Sequence, residues 1–154
     1  FILYMNDLPP IIKTARVSLF ADDVAIWAQD PNLQKDEELL QEALNNVEGW
    51  SRKWAMELSA QKSETTFFST NSHEASWLPT LTVNGQWLRY NETPKFLVIS
   101  YDCQLTFALH AALMRRKLRR QANTECGYDK CTLRATYIAA GRTSVDYAAA
   151  AWLA

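Results

Sequence analysis

The chain has 154 residues, 48% hydrophobic and 21% charged, with a formal net charge of −1; this balance excludes wholesale disorder and fits one medium domain, or a small one with an appendage. With four glycines and no G-x-x-x-x-G-K-[ST] or G-x-G-x-x-G pattern, it carries no glycine-rich phosphate loop. No run nears the roughly 18 apolar residues that span a bilayer and no signal peptide is visible, so no membrane partner is expected, and an intracellular location in nucleus or cytoplasm is expected over secretion.

Residues 1–7 are apolar enough for a buried helix end or a strand, and periodicity does not decide between them. The uncapped apolar start at Phe1 reads as an element cut open, so upstream residues are expected. Leu8-Pro9-Pro10 stops this element. Residues 15–20 and 24–28 read as two short apolar strands around Ala21-Asp22-Asp23, a hairpin with a polar tip. Asp30-Pro31 then reads as a helix start, Asp30 as N-cap and Pro31 in the first helical position. Leu40, Ala43, Leu44, Val47, Trp50, Trp54 and Leu58 recur at spacings of three and four, which predicts a long helix packed on one side. Its opposite face is acidic or amide-rich, and Gly49 is a tolerated weak point.

Further along, residues 65–69 predict a strand. Asn84-Gly85 satisfies both positive φ angles of a type I′ turn, so residues 80–90 predict a two-residue hairpin. Residues 95–101 predict another strand. Residues 107–121 predict a basic helix, and residues 132–140 and 144–152 two more. The order is antiparallel strands around one long helix, then a helical tail: an α+β fold.

Charge is unevenly spread. Asp36, Glu37, Glu38, Glu42 and Glu48 face a single Lys35 over residues 33–48. Over residues 105–134, Arg115, Arg116, Lys117, Arg119, Arg120, Lys130 and Arg134 stand against Glu125 and Asp129. Two readings of the basic segment stand together, a polyanion-binding surface and a solvated helix face. Cys103, Cys126 and Cys131 form no even framework and read as reduced thiols. Cys126 and Cys131, five apart with His73 and His110 remote, make a poor zinc set.

Phe20-Ala21-Asp22-Asp23 is the sharpest constellation. At a tight tip two adjacent carboxylates can reach one space, where like charges repel unless a cation sits between them. Mg²⁺ takes one or two protein carboxylates and leaves positions for water and phosphate oxygens. The competing reading is an Asp-rich turn stabilised by local backbone hydrogen bonds.

These residues resemble the reverse transcriptase domain of non-LTR retrotransposons, and the resemblance runs over nearly the whole chain. Tyr4-Met5-Asn6-Asp7-Leu8-Pro9 is similar to the family's approach to its catalytic hairpin, and Phe20-Ala21-Asp22-Asp23 to its active-site box. The helix with Trp50 and Trp54, followed by Ser59-Ala60-Gln61-Lys62-Ser63, resembles the next family segment, with Ser59-Ala60 where Asn-Pro is common. Pro94-Lys95-Phe96-Leu97 resembles the primer-grip strand, with Val98 where the family usually has glycine. Residues 105–120 and 137–152 resemble thumb segments.

The resemblance implies a partial palm over residues 1–101 and a helical thumb segment over 102–154. It implies Asp22 and Asp23 as catalytic, metal-binding residues, with Mg²⁺ or Mn²⁺ as cofactor in the intact enzyme. Lys62 becomes the candidate proton donor to departing pyrophosphate. Lys95, Phe96 and Leu97, with Arg115, Arg116, Lys117, Arg119 and Arg120, become nucleic-acid contacts, the partners being an RNA template, a DNA primer and deoxynucleoside triphosphates. The family's third metal-binding aspartate and its fingers lie upstream of these motifs, so an RNA-directed DNA polymerase fragment inactive alone is expected. Alternatives are a non-catalytic nucleic-acid-binding remnant, and a partner-binding domain using its Trp-rich faces. The first hairpin is expected to expose apolar surface and to make the chain poorly soluble.

Overall fold

Val17, Leu19, Val24 and Ile26 alternate with Arg16, Ser18, Asp23 and Ala25, a period-two pattern that puts the four aliphatic side chains on one face and the aromatic ends Phe20 and Trp27 on the other. They form an antiparallel hairpin, β1 (Arg16–Phe20) and β2 (Asp23–Trp27), in register from Arg16 opposite Trp27 to Phe20 opposite Asp23. Only Ala21 and Asp22 remain for the turn. The computed structural model describes residues 5–71, 73–74, 76–122 and 129–146. The chain divides into two units, the first of residues 1–67 and 76–91, the second of residues 68–75 and 92–154.

In the first unit the apolar face of the hairpin packs on a core of Met5, Leu8, Ile12, Ala43, Val47 and Trp50. The last three belong to α1 (Leu33–Lys53). The helix starts two residues later than Asp30-Pro31 predicts. Asn32 is the N-cap and accepts the Gln34 N–H at 3.0 Å. Asp30 is occupied otherwise: it accepts the Asn32 N–H at 3.0 Å and the Lys35 ammonium at 2.6 Å. The Lys35 contact, then the Asn32 N–H, hold its carboxyl below the usual range.

The helix also ends before Leu58. Ala55 takes φ +51°, its N–H bonds the Arg52 carbonyl at 3.3 Å, and the Met56 N–H bonds the Ser51 carbonyl at 2.9 Å. That is a Schellman closure with alanine where glycine is usual. Met56 and Leu58 still pack on the core from the segment beyond the helix.

The polar face of α1 is not simply solvated. Glu37 accepts the Thr80 N–H at 3.1 Å, Gln41 the Thr82 N–H at 2.9 Å, and Glu48 the Asn84 N–H at 2.6 Å. Alternate N–H groups of an extended segment thus end on three helix side chains that share one face. This fixes β4 (Thr82–Val83), which turns through Asn84 (φ +51°) and Gly85 (φ +73°) into β5 (Gln86–Trp87), the predicted type I′ hairpin. The strand expected at 65–69 is shorter: β3 (Glu64–Thr65) pairs in parallel with β6 (Arg89–Tyr90).

In the second unit residues 95–101 are not one strand. They form a hairpin, β7 (Lys95–Phe96) and β8 (Ile99–Ser100), turned by Leu97 at φ +48° and Val98 at φ +73°. Ile99 and Ser100 are buried, and α2 (Ala108–Ala122) comes next. Its covered stripe is His110, Met114 and Leu118, at spacings of four, whereas Leu109 and Leu113 are exposed. His110 is buried, and its Nδ1 accepts the Ser100 N–H at 3.3 Å. After α3 (Lys130–Thr136) the chain is π-helical over Tyr137–Arg142, then α4 (Thr143–Asp146). Gly141 lets this segment approach closely, since a Cβ there would lie 3.1 Å from Tyr137 and 3.4 Å from Leu118. Residues 147–152 of the last expected helix, and Cys126, lie outside the described residues. Helices and small strand pairs that succeed one another in this way make an α+β fold.

Candidate functional site

The β1–β2 register decides how the two acids are presented. Arg16, Ser18 and Phe20 share a face with Asp23, Ala25 and Trp27, opposite the face on the core. Asp23 therefore stands on the outward face across from Phe20, and Asp22 occupies the second turn position. Ala21, at φ +53°, absorbs the sharp reversal. Both acids are exposed, and among the described residues neither side chain takes a hydrogen bond or an ion pair. The local backbone bonds of an Asp-rich turn are thus not what these carboxylates provide.

Two adjacent hard-oxygen donors with no base beside them suit a divalent cation such as Mg²⁺, which shares its shell with water and phosphate. Among the described residues no group of three His, Cys, Asp or Glu side chains is placed to hold a metal ion. Any ion here would draw most of its ligands from elsewhere.

Lys62 lies in the same unit, in a turn where its N–H bonds the Ser59 carbonyl at 3.2 Å. It is exposed, and no hydrogen bond or ion pair joins its side chain to Asp22 or Asp23. The remaining predicted residues belong to the second unit. Lys95 is exposed at the start of the β7–β8 hairpin, across from Ser100; Phe96 is half-buried across from Ile99. Leu97 and Val98 are the turn itself. A β-branched residue at φ +73° is strained where glycine would not be, which accounts for a glycine preference at this place on local grounds.

Arg115, Arg116, Lys117, Arg119 and Arg120 are all exposed on α2, without an ion pair among the described residues. Because the covered stripe is narrow, they spread over the rest of the circumference of the helix. Arg119 and Arg120 also sit in the last turn, where cations suit the helix dipole.

Two arrangements escaped the sequence reading. His110, which pins α2 to β8, lies in no motif. Lys13, Arg16 and Trp27, remote in sequence, line one recess at the base of the first hairpin. Strict alternation along the two strands is the signal that places Arg16 and Trp27 on one face.

Among the described residues no helix is long and apolar enough to cross a membrane. No protein-family model matches the chain, and no solved structure matches it. It is 25% identical over 103 residues to the RNA-directed DNA polymerase from mobile element jockey of Drosophila melanogaster, covering 67% of this chain and 11% of that protein. It is 26% identical over 103 residues to the protein of that name from Drosophila funebris, with the same coverage. The chain thus spans about a ninth of the length of these relatives, and over two thirds of its own length it is a distant relative of RNA-directed DNA polymerases of a mobile element.

Proposed function

We propose that the chain is the palm-and-thumb part of a retrotransposon reverse transcriptase, residues 1–101 serving as partial palm and 102–154 as thumb segment. The observation that carries this is the pair Asp22 and Asp23, exposed at a two-residue hairpin tip and unpartnered among the described residues, in a relative of such polymerases. Asp22 and Asp23 would hold Mg²⁺ or Mn²⁺, which supplies Lewis-acid stabilisation of phosphoryl oxygens when bound.

Lys62, exposed on its turn, would donate a proton to the leaving pyrophosphate. Lys95, Phe96 and Leu97 would steady the primer end. Arg115, Arg116, Lys117, Arg119 and Arg120 would follow the phosphates of an RNA template and DNA primer without reading sequence. Deoxynucleoside triphosphates are the substrates of the whole enzyme on this reading.

The experiment is binding of an RNA–DNA hybrid across a salt series, followed by fluorescence anisotropy, with the five α2 bases native or replaced by Gln. The replaced chain should bind more weakly and with a flatter salt dependence, by roughly 0.9 in logarithmic slope for each phosphate that is no longer neutralised. Equal binding by the two chains would end the reading of α2. Primer extension by the chain alone should give no product, because two carboxylates under-coordinate the metal site. The two-donor site also favours a second reading, a nucleic-acid-binding remnant without chemistry. Addition in trans of polymerase segments that carry the fingers and a third aspartate separates the two: restored extension that Asp22→Asn abolishes supports the enzyme, and its failure the remnant.

A further inference from the structure

At the end of the β1–β2 hairpin remote from the two acids lies an open recess of about 250 Å³. Lys13, Arg16, Trp27, Gln29 and Leu39 are among its lining residues. The Thr14 hydroxyl ties the wall to α1 by donating to the Leu39 carbonyl at 3.1 Å. Lys13 and Arg16 are exposed, and neither takes an ion pair or side-chain hydrogen bond among the described residues. Trp27 lies directly across from Arg16 and keeps 43% of its surface exposed.

Two such cations beside a solvent-facing indole are a poor choice for a surface with no ligand. An apolar side chain left open costs solubility, and two like charges repel. They suit a ligand with an anionic and a flat aromatic part. A nucleotide strand has both, and its base reaches an indole only when it is not stacked in a duplex.

We propose that this recess binds one nucleotide of a single-stranded nucleic acid, its base on Trp27 and its flanking phosphates on Lys13 and Arg16. The site rests on the reading of the chain as a nucleic-acid-handling protein and adds a contact that the hairpin tip and α2 do not supply. Four residue steps separate the Arg16–Trp27 pair from Phe20–Asp23. At about 3.3 Å per step, the recess lies roughly 13 Å along the hairpin from the acids. Ser18 and Ala25, between the two aromatic side chains on the same face, leave a low ledge along which a strand can run. Gln29 offers an amide to the edge of a bound base.

The test uses the full chain and a 12-nucleotide oligouridylate carrying 5-iodouridine, with photocrosslinks located by mass spectrometry and affinity followed by anisotropy. A crosslink on the peptide containing Trp27 is expected, and it should persist when the five α2 bases are replaced by Gln. Trp27→Leu should weaken binding by about tenfold. Lys13→Gln with Arg16→Gln should flatten the logarithmic salt slope by about 1.4. Because Lys13 and Arg16 are exposed, that pair decides the matter should Trp27→Leu disturb folding, which its urea midpoint reports. Crosslinks confined to α2, with the Lys13/Arg16 variant binding as the native chain does, overturn this site and leave the palm-and-thumb reading standing. Absence of binding of this oligonucleotide by the native chain at low salt overturns the site; only a failure to bind the RNA–DNA hybrid as well overturns the reading on which it rests.

Discussion

Gln41 meets Thr82 as a neighbouring strand would: its Nε2 donates to the Thr82 carbonyl at 3.1 Å and its Oε1 accepts the Thr82 N–H at 2.9 Å. A helix side chain thereby satisfies both backbone groups of a partly buried residue whose strand is only two residues long. Gln41→Glu keeps the acceptor, removes the donor and sets a carboxylate against a carbonyl oxygen. A loss of about 1–2 kcal/mol is expected, and Gln41→Leu should cost at least as much because both Thr82 groups lose their partner. Urea unfolding measures it; variants within about 0.3 kcal/mol of native, well under one net hydrogen bond, would show that water replaces the amide.

In α1 glycine and alanine stand where the other would serve better. Gly49 is inside the helix, and a Cβ there would meet nothing within 4 Å. Ala55 is at the closing position with φ +51°. Gly49→Ala should stabilise by about 1 kcal/mol through helix propensity. Ala55→Gly should stabilise by about 1 kcal/mol through relief of the left-handed conformation. Both should raise the thermal midpoint, and the two gains should nearly add. A lower midpoint for Ala55→Gly would mean that the Schellman closure does not form.

Legibility followed how local the cause was. Asn84-Gly85 encodes its own turn, and the 3–4 spacing from Leu40 to Trp50 encodes the buried stripe, so both were readable from neighbours alone. The hairpin was readable for the same reason, two apolar runs that leave Ala21-Asp22-Asp23 between them; that Asp23 pairs with Phe20 and only Ala21 and Asp22 turn the chain was not. Leu97-Val98 was not readable, because nothing in a Phe-Leu-Val-Ile run asks for positive φ. The reversal depends on partners outside it, among them the buried Ile99 and Ser100, the His110 acceptor, and the Tyr101 N–H bonded to the Pro94 carbonyl at 2.9 Å. The shift of the N-cap from Asp30 to Asn32 has a similar origin. Both side chains can cap, and Lys35 engages the first of them.

Glu64 gives the first unit a dependence on acid. It accepts the Asn91 amide at 2.6 Å and pairs with Arg89 across the β3–β6 ladder. The Asn91 bond first, and then Arg89 against a modest cost of burial, hold its carboxyl below the usual glutamate range. A carboxyl with a lowered folded-state pKa binds its proton more readily when unfolded. Its contribution is therefore complete above the ordinary glutamate value and is lost as the pH falls through the lowered one. Glu64→Gln should flatten that part of the stability–pH curve by lowering stability at neutral pH, with the two chains converging in acid, where the native carboxyl is itself protonated. Unfolding free energies from about pH 7 down to about pH 3 for both chains decide it, and parallel curves would exclude Glu64 as the source.

The second unit joins a strained turn to a buried histidine. Val98 holds φ +73° and is 55% exposed, so packing of its own isopropyl group does not impose the conformation. The two-residue loop between the paired strands β7 and β8 demands it, and Ser100, two residues on, is held in turn by its N–H on His110 Nδ1 inside the unit. Val98→Gly should stabilise by roughly 0.5–1 kcal/mol, the left-handed cost relieved less the greater freedom of an unfolded glycine. His110→Ala should act oppositely, at about 1–3 kcal/mol, because a buried N–H loses its acceptor. Combining them tests whether the histidine enforces the turn. With His110 gone the tip can relax, so Val98→Gly should gain less in that background than in the native chain. Full additivity in urea unfolding would mean that the strain at Val98 is held by the β7–β8 ladder alone and that His110 serves only to seat α2 on the hairpin.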